Sequence, residues 1–239
     1  MLNLLFFKGK FCTWCGRPFR YGAFCHNCLE KLDYSKQQLK PCKYCGRFLP
    51  LNSSDICSQC QVELPVFHKA RAVGAYRGIL KEMIWELKYK GRRSLVKPLG
   101  QLLANITIKA LRTERPHIIV PVPLTKFRLR ARTFNQSELL ALALGKELGI
   151  SVGNDILIRT KETIPQAGLS RQQRWRNLAG AFRVKEPSKI RGSHLLLVDD
   201  VLTTGATASV CTHFLLGSGA VKITVVTLAT GIEKSNYSL

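Results

Sequence analysis

Between Leu195 and Thr207 the chain reads Leu-Leu-Leu-Val-Asp-Asp-Val-Leu-Thr-Thr-Gly-Ala-Thr, and few architectures accommodate that order of residues. Leu195–Val198 is a branched, apolar run of the kind that forms a strand buried on both faces in a parallel sheet. Asp199 and Asp200 end the run, and a turn dense in hydroxyls and glycine follows. Ala206–Leu216 contains no Pro or Gly, which predicts a helix closed by Gly217 and Gly219. A strand, an acidic pair, a Thr/Gly loop and a helix start make a seat for a sugar phosphate. Backbone N–H groups of the loop, with the hydroxyls of Thr203, Thr204 and Thr207, can wrap a phosphate dianion. The two carboxylates stand one step earlier, where they can accept hydrogen bonds from sugar hydroxyls. The plainer alternative is an ordinary strand–loop–helix corner with two solvated acids, and the length and order of the run count against it.

The amino-terminal quarter has a different chemistry. Of nine cysteines, eight lie between residues 12 and 60 in four C-x-x-C pairs. Lys10-Phe11-Cys12-Thr13-Trp14-Cys15-Gly16-Arg17 is echoed by Lys40-Pro41-Cys42-Lys43-Tyr44-Cys45-Gly46-Arg47. Each copy is followed by a second pair, Cys25/Cys28 and Cys57/Cys60. C-x-x-C-G is a metal knuckle, in which the Gly turn directs backbone N–H groups at sulfur. Two knuckles supply the four thiolates that tetrahedral Zn²⁺ prefers, so two zinc ions are expected. Sequential pairing (12/15/25/28 and 42/45/57/60) is the simplest outcome of the repeat, but spacing alone also allows interleaving. A redox dithiol needs one such pair and not four, while an iron–sulfur cluster could use the same thiols. So small a segment buries little, and metal binding is expected to supply its folding energy. Met1–Phe7 is too short for a secretory signal and has no basic start, and no apolar run reaches the length of a membrane span. Paired thiols without export predict metal ligation in a reducing cytoplasm.

Leu64-Pro65-Val66 marks a boundary, giving a Cys-rich unit at 1–65 and an α/β unit at 66–239. In the second unit, strands are expected at 70–76, 118–122, 155–159, 181–185, 193–199 and 221–229. Helices are expected at 79–87, 95–111, with Pro98 in its first turn, and 137–148. A basic turn, Lys88-Tyr89-Lys90-Gly91-Arg92-Arg93, follows the first helix. A second basic segment, Lys126–Gln136, containing Arg128, Arg130 and Arg132, reads as a loop suited to a pyrophosphate. Residues 160–177 are polar and basic, with Gln166, Arg171, Arg174 and Arg176, and read as a functional lid or as disorder. Cys211 reads as a small core residue.

With these residues in place, Leu195–Thr207 resembles the 13-residue 5-phosphoribosyl 1-pyrophosphate (PRPP) motif of type I phosphoribosyltransferases. The whole chain resembles the ComF/GntX family of competence-associated proteins. That resemblance rests on the cysteine pairs, Leu87-Lys88-Tyr89 with Gly91, Val120-Pro121-Val122-Pro123-Leu124, Arg128 and Arg132 before Phe134-Asn135-Gln136, and the acidic-threonine motif. Arg159-Thr160, Gln166, Leu169-Ser170, Arg171, Arg174, Asn177-Leu178 and Gly180-Ala181-Phe182 add to it. Thr133 stands where the family often has Gly. The resemblance implies a type I phosphoribosyltransferase fold, mostly parallel, preceded by a zinc-ribbon-like unit, with residues 160–180 as a hood. It implies that PRPP binds with its 5′-phosphate at Thr203, Thr204, Gly205, Ala206 and Thr207 and its ribose at Asp199 and Asp200. Mg²⁺ would sit on the pyrophosphate, facing Arg128 and Arg132. As a general base only Lys88 and His117 are conceivable, each more readily a structural or phosphate contact.

Charge weighs on partners. Formal net charge is +22, and residues 67–239 hold 28 basic and 11 acidic residues, so +17 of it lies in the larger unit. Such an excess draws polyanions. Lys88, Lys90, Arg92, Arg93, Arg171 and Arg174, with Trp85, Tyr89, Phe127, Trp175 and Phe182 lying among basic residues, suit single-stranded nucleic acid. Three functions follow for test. The first is a PRPP-binding accessory of DNA uptake, acting with single-stranded DNA and a competence helicase in the cytoplasm or at the cytoplasmic face of the inner membrane. The second is a phosphoribosyltransferase acting on a base or amine. The third is a nucleic-acid module with a relic motif, which retention of both acids and all three threonines disfavours.

Overall fold

A computed structural model describes residues 10–32, 38–111, 114–161 and 180–233. In chain order the amino-terminal part holds β1 (Lys10–Phe11), β2 (Pro18–Phe19), α1 (His26–Leu32), β3 (Leu39–Pro41), β4 (Phe48–Pro50) and α2 (Ser58–Val62). The body follows with β5 (Lys69–Ala75), α3 (Gly78–Lys90), α4 (Val96–Leu111), β6 (Ile118–Pro121), α5 (Lys126–Arg132), α6 (Gln136–Leu148) and β7 (Ser151–Val152). It ends with β8 (Leu157–Arg159), β9 (Phe182–Val184), β10 (His194–Leu202), α7 (Ala206–Gly217) and β11 (Lys222–Thr230).

The central sheet has five strands in the order β5-β11-β10-β6-β7, and every pairing in it is parallel. Side chains alternate between its two faces, as the period of two demands. Leu196, Val198, Val226 and Leu228 pack with Met83, Leu103 and Leu140 of α3, α4 and α6 on one side. Leu195, Leu197, Ile223 and Val225 pack with Val210, Cys211 and Leu215 of α7 on the other. Burial on both faces explains why these strands read as unbroken apolar runs. Cys211 is fully buried in this core, as its sequence context suggests.

Three expectations change. The segment at 126–132 is a helix, not a loop. Thr125 starts α5 by accepting a hydrogen bond from the Arg128 N–H, and such an N-cap permits a turn of helix even in so basic a segment. The strand expected to stop at Asp199 runs to Leu202, so both acids are strand residues. The strand expected at 155–159 is shortened to β8 and pairs antiparallel with β9, outside the central sheet. The expected lid at 160–177 falls almost wholly at 162–179, outside the described residues, as do Met1–Phe7. No helix among the described residues is long and apolar enough to cross a membrane.

Candidate functional site

From β6 the chain moves outward to β7, then returns to β10 on the opposite side of β6 and moves outward again to β11. The strand order therefore reverses between β6 and β10, and in open parallel sheets ligands sit at the carboxyl ends of the strands flanking such a switch point. The loop after β10 is Thr203–Gly205, leading into α7. The loop after β6 leads into α5 with its arginines. The Asn135 side chain ties the second loop down, donating to the Val122 carbonyl (3.1 Å) and accepting from the Ser137 N–H at the start of α6 (3.0 Å).

The acidic pair is asymmetric. Asp199 accepts from Ser137 Oγ (2.9 Å) and from the Asp200 N–H (2.8 Å), so α6 and the strand itself satisfy it. Burial, and then the charge of Asp200, push its carboxyl up to about 7. Asp200 is buried at 4% exposure and pairs through Oδ1 with Lys88 Nζ at 2.8 Å. Its Oδ2 is buried with no hydrogen-bond partner among the described residues. A bare buried carboxylate oxygen costs on the order of 1–3 kcal/mol, so this atom is set for a donor that none of the described residues supplies. Lys88 is thus committed to the acid pair. His117 lies at the other end of the sheet, its Nδ1 accepting from the N–H of His194, the first residue of β10. That location removes His117 as a base for chemistry at Asp199–Thr207.

Gly205 begins α7 at φ +78°, a left-handed conformation that Gly adopts without a Cβ penalty. Thr203 is exposed, Thr204, Gly205 and Thr207 are half-buried, and Ala206 is buried. Arg128 is exposed on α5, the helix that follows β6. Arg132 donates to Gln136 Oε1 (3.1 Å) and lies over the Tyr89 ring, 5.0 Å from its centroid. Thr133 ends α5 at φ +64°, a strained position for a β-branched residue and the one where family resemblance expects Gly. Tyr89, Arg128, Arg132 and Thr133, with Lys88, Lys90, Arg93, Phe127 and Phe134, line a cleft of about 530 Å³, and the ion pair of Lys88 with Asp200 ties that cleft to the acid pair. Trp85, Tyr89 and Phe127 are 46%, 61% and 73% exposed. Arg92 does not line that cleft. It donates to the carbonyls of Thr13 (2.6 Å) and Trp14 (3.0 Å) and stacks on Trp14, joining the basic turn to the first cysteine unit. Gln166, Arg171 and Arg174 lie outside the described residues.

The eight amino-terminal cysteines form two groups, Cys12/Cys15/Cys25/Cys28 and Cys42/Cys45/Cys57/Cys60, with all sulfurs of a group within 4.8 Å of one another. Pairing is sequential. The Cys15–Cys25 and Cys45–Cys57 sulfurs stand 3.7 and 3.5 Å apart. Four thiolates about 2.3 Å from a tetrahedral zinc stand about 3.8 Å from one another, so both sets fit the ion. Burial raises the Cys12 thiol, but N–H groups of Cys15, Cys25 and Trp14 outweigh it and leave Cys12 at about 6. Contact with Cys45, and N–H groups of Cys57, Cys45 and Tyr44, bring Cys42 to about 4 despite burial. Both shifts favour the thiolate form that zinc takes. Arg47 and Gln59, which the sequence did not mark, bond to the Thr203–Thr204 loop. Their only signal was their place inside the knuckle spacing.

An all-parallel five-stranded sheet with an acidic pair and Thr/Gly loop at its switch point defines the body as a type I phosphoribosyltransferase fold, preceded by a zinc-ribbon-like unit. The chain belongs to the ComF family. DNA utilization protein YhgH of Escherichia coli is 34% identical over 90% of this chain and 94% of its own length. Competence protein F of Haemophilus influenzae is 30% identical over 95% of this chain and 93% of its own. Competence protein ComFC of Bacillus subtilis is 26% identical over 82% and 78%. Among solved structures, the glutamine PRPP amidotransferase of B. subtilis covers 60% of this chain and 30% of its own at TM-score 0.41 and 18% identity. A purine phosphoribosyltransferase of Pyrococcus horikoshii covers 55% and 73% at TM-score 0.36 and 18% identity. No family model matches the chain.

Proposed function

We propose that this chain binds PRPP at the switch-point crevice, and single-stranded DNA on the adjoining basic and aromatic face, in the handling of incoming DNA. The observation that carries the sugar-phosphate half is Asp200 Oδ2, a buried acceptor with no donor among the described residues, at the end of the strand that leads into a Thr/Gly loop. A ribose hydroxyl supplies that donor. Thr203–Thr207 take the 5′-phosphate, and Arg128 and Arg132 meet the pyrophosphate from α5. Aspartate oxygens are hard donors that suit Mg²⁺, which would add positive charge at the pyrophosphate. The names of the relatives, DNA utilization and competence proteins, support the DNA half. So does the cleft, where exposed Tyr89 and Phe127 stand among Lys90, Arg93 and Arg128 as stacking surfaces within a cationic field. The chain works in this reading as two units, 1–65 and 66–239, inside the cytoplasm and alongside a helicase.

Calorimetric titration of PRPP with Mg²⁺ tests the first half. Binding is expected for the native chain and at least tenfold weaker binding for Asp200→Asn, whose amide presents a donor where the ribose needs an acceptor. Equal affinity would refute the placement of the ribose. Retention of labelled single-stranded DNA should fall steeply as salt rises from 50 to 200 mM, on the order of 10³-fold if six or more phosphates are engaged. Transfer to a base is a second reading, favoured by the aromatic cleft beside the acid pair, and pyrophosphate release on adding a base would report it.

A further inference from the structure

The second cysteine unit touches the proposed sugar-phosphate loop directly. Gln59 Nε2 donates to the Thr204 carbonyl at 3.1 Å, and Arg47 donates to the Thr203 carbonyl at 3.4 Å. Arg47 also donates to Gln59 Oε1 at 2.8 Å, so the two side chains form one brace. Between the brace and the loop only about 10 Å³ is left open, scarcely room for one water.

A trans peptide is planar, and its C=O and N–H point to opposite sides. Holding the Thr203 and Thr204 carbonyls toward the cysteine unit therefore turns the Thr204 and Gly205 N–H groups the other way. Those are amides of the loop that the proposed function assigns to the phosphate. Both brace residues come from within the metal-ligand spacing. Arg47 closes the first knuckle, its carbonyl accepting from the Cys42 N–H at 2.7 Å, and Gln59 lies between Cys57 and Cys60. The first unit supplies an internal comparison. Arg17 and Asn27 hold the corresponding places there, and both are exposed.

We infer that Arg47 and Gln59 are positioning residues that hold the Thr204 and Gly205 amides in their phosphate-binding orientation, so that metal held by Cys42, Cys45, Cys57 and Cys60 sets the affinity of the sugar-phosphate site. This rests on the proposed PRPP site and adds its control. Linkage makes the coupling reciprocal, so PRPP must in turn raise the equilibrium affinity for the second metal.

The test uses the full zinc-loaded chain and three variants: Gln59→Glu, which keeps the side chain's shape but removes the donor to Thr204, Arg47→Lys, and an Arg17→Ala/Asn27→Ala control. Zinc content is measured first, and two ions per chain in every variant separates the brace from metal loss. Hydrogen exchange of the 203–207 amides is then read without ligand, followed by PRPP–Mg²⁺ affinity. Gln59→Glu is expected to speed exchange and weaken affinity about tenfold, Arg47→Lys to do so less, and the control to match the native chain. Native exchange rates in Gln59→Glu, or faster exchange with unchanged affinity, would overturn the inference while leaving PRPP binding intact. A native chain that ignores PRPP would instead overturn the proposed site, and this inference with it.

Discussion

The two cysteine units are close copies in sequence and differ in what they lean on. The first packs Phe24, Cys28 and Leu32 against Val73 and Leu80, and takes Arg92 from the basic turn through its own carbonyls. Its Cys15 is exposed. The second buries Phe48 completely and binds its backbone to the segment after β11, with Phe48 N–H donating to Gly231 and Glu233 N–H donating to Phe48. It also reaches the Thr203–Thr204 loop. A local repeat fixes ligand geometry, whereas the surface on which each copy is seated decides what that geometry supports.

That contrast can be broken most severely at the ligands. Cys57→Ser is expected to lower zinc from two ions to one per chain and to cost on the order of 4 kcal/mol, read as a lower midpoint in denaturant. PRPP affinity should go with it. Cys15→Ser, at the exposed ligand of the first unit, should lose zinc but keep most of that affinity. Next in size is Lys88→Met, which leaves the Asp200 carboxylate buried without its cation and should cost about 3 kcal/mol. Lys88 lies in the last turn of α3 and Arg92 just beyond its left-handed Gly91 cap, so comparing the two substitutions asks whether the first unit is coupled to the acids through the end of α3.

Arg92→Ala removes two hydrogen bonds and a stacked ring and should cost about 1.5 kcal/mol, with zinc content and PRPP affinity unchanged. A drop in PRPP affinity there would erase the distinction between the two seats. Acidity offers a finer probe. A carboxyl raised from its usual value to about 7 favours the folded chain when protonated, so Asp199 contributes stability at pH 4 that is lost as pH rises through 7. Thermal scans from pH 4 to 8 should show that fall, and Asp199→Asn should flatten it. The smallest change is Thr133→Gly, expected to add about 1 kcal/mol by relieving the left-handed backbone at the end of α5.

Much of this was legible beforehand, for reasons that can be assigned to residues. Leu195–Val198 is apolar because both sheet faces are covered, and the C-x-x-C spacing marks all eight ligands, although only the fold shows that they group sequentially. What escaped depended on contacts distant in sequence. Nothing near Lys88 tells that it faces Asp200, 112 residues away. Arg47 and Gln59 look like ordinary surface residues until the fold brings them to Thr203 and Thr204. The helical turn at 126–132 was missed because seven residues with four basic side chains are a poor helix alone, and Thr125 supplies the start.

One consequence concerns the flank of the sheet. β5, seven residues long, is an end strand, and its Ala70 N–H is taken by the Tyr44 carbonyl while Arg71 grips the carbonyls of Cys42 and Lys43. An added Cβ at Gly46 would stand 2.6 Å from the Ala70 oxygen, so the knuckle lies flush against the strand. An ion held by these four sulfurs would act as the latch on a cover strip. Chains made while zinc is scarce would then display an unsealed border of peptide groups and be expected to cling to one another along it, so that metal supply would guard solubility as well as shape.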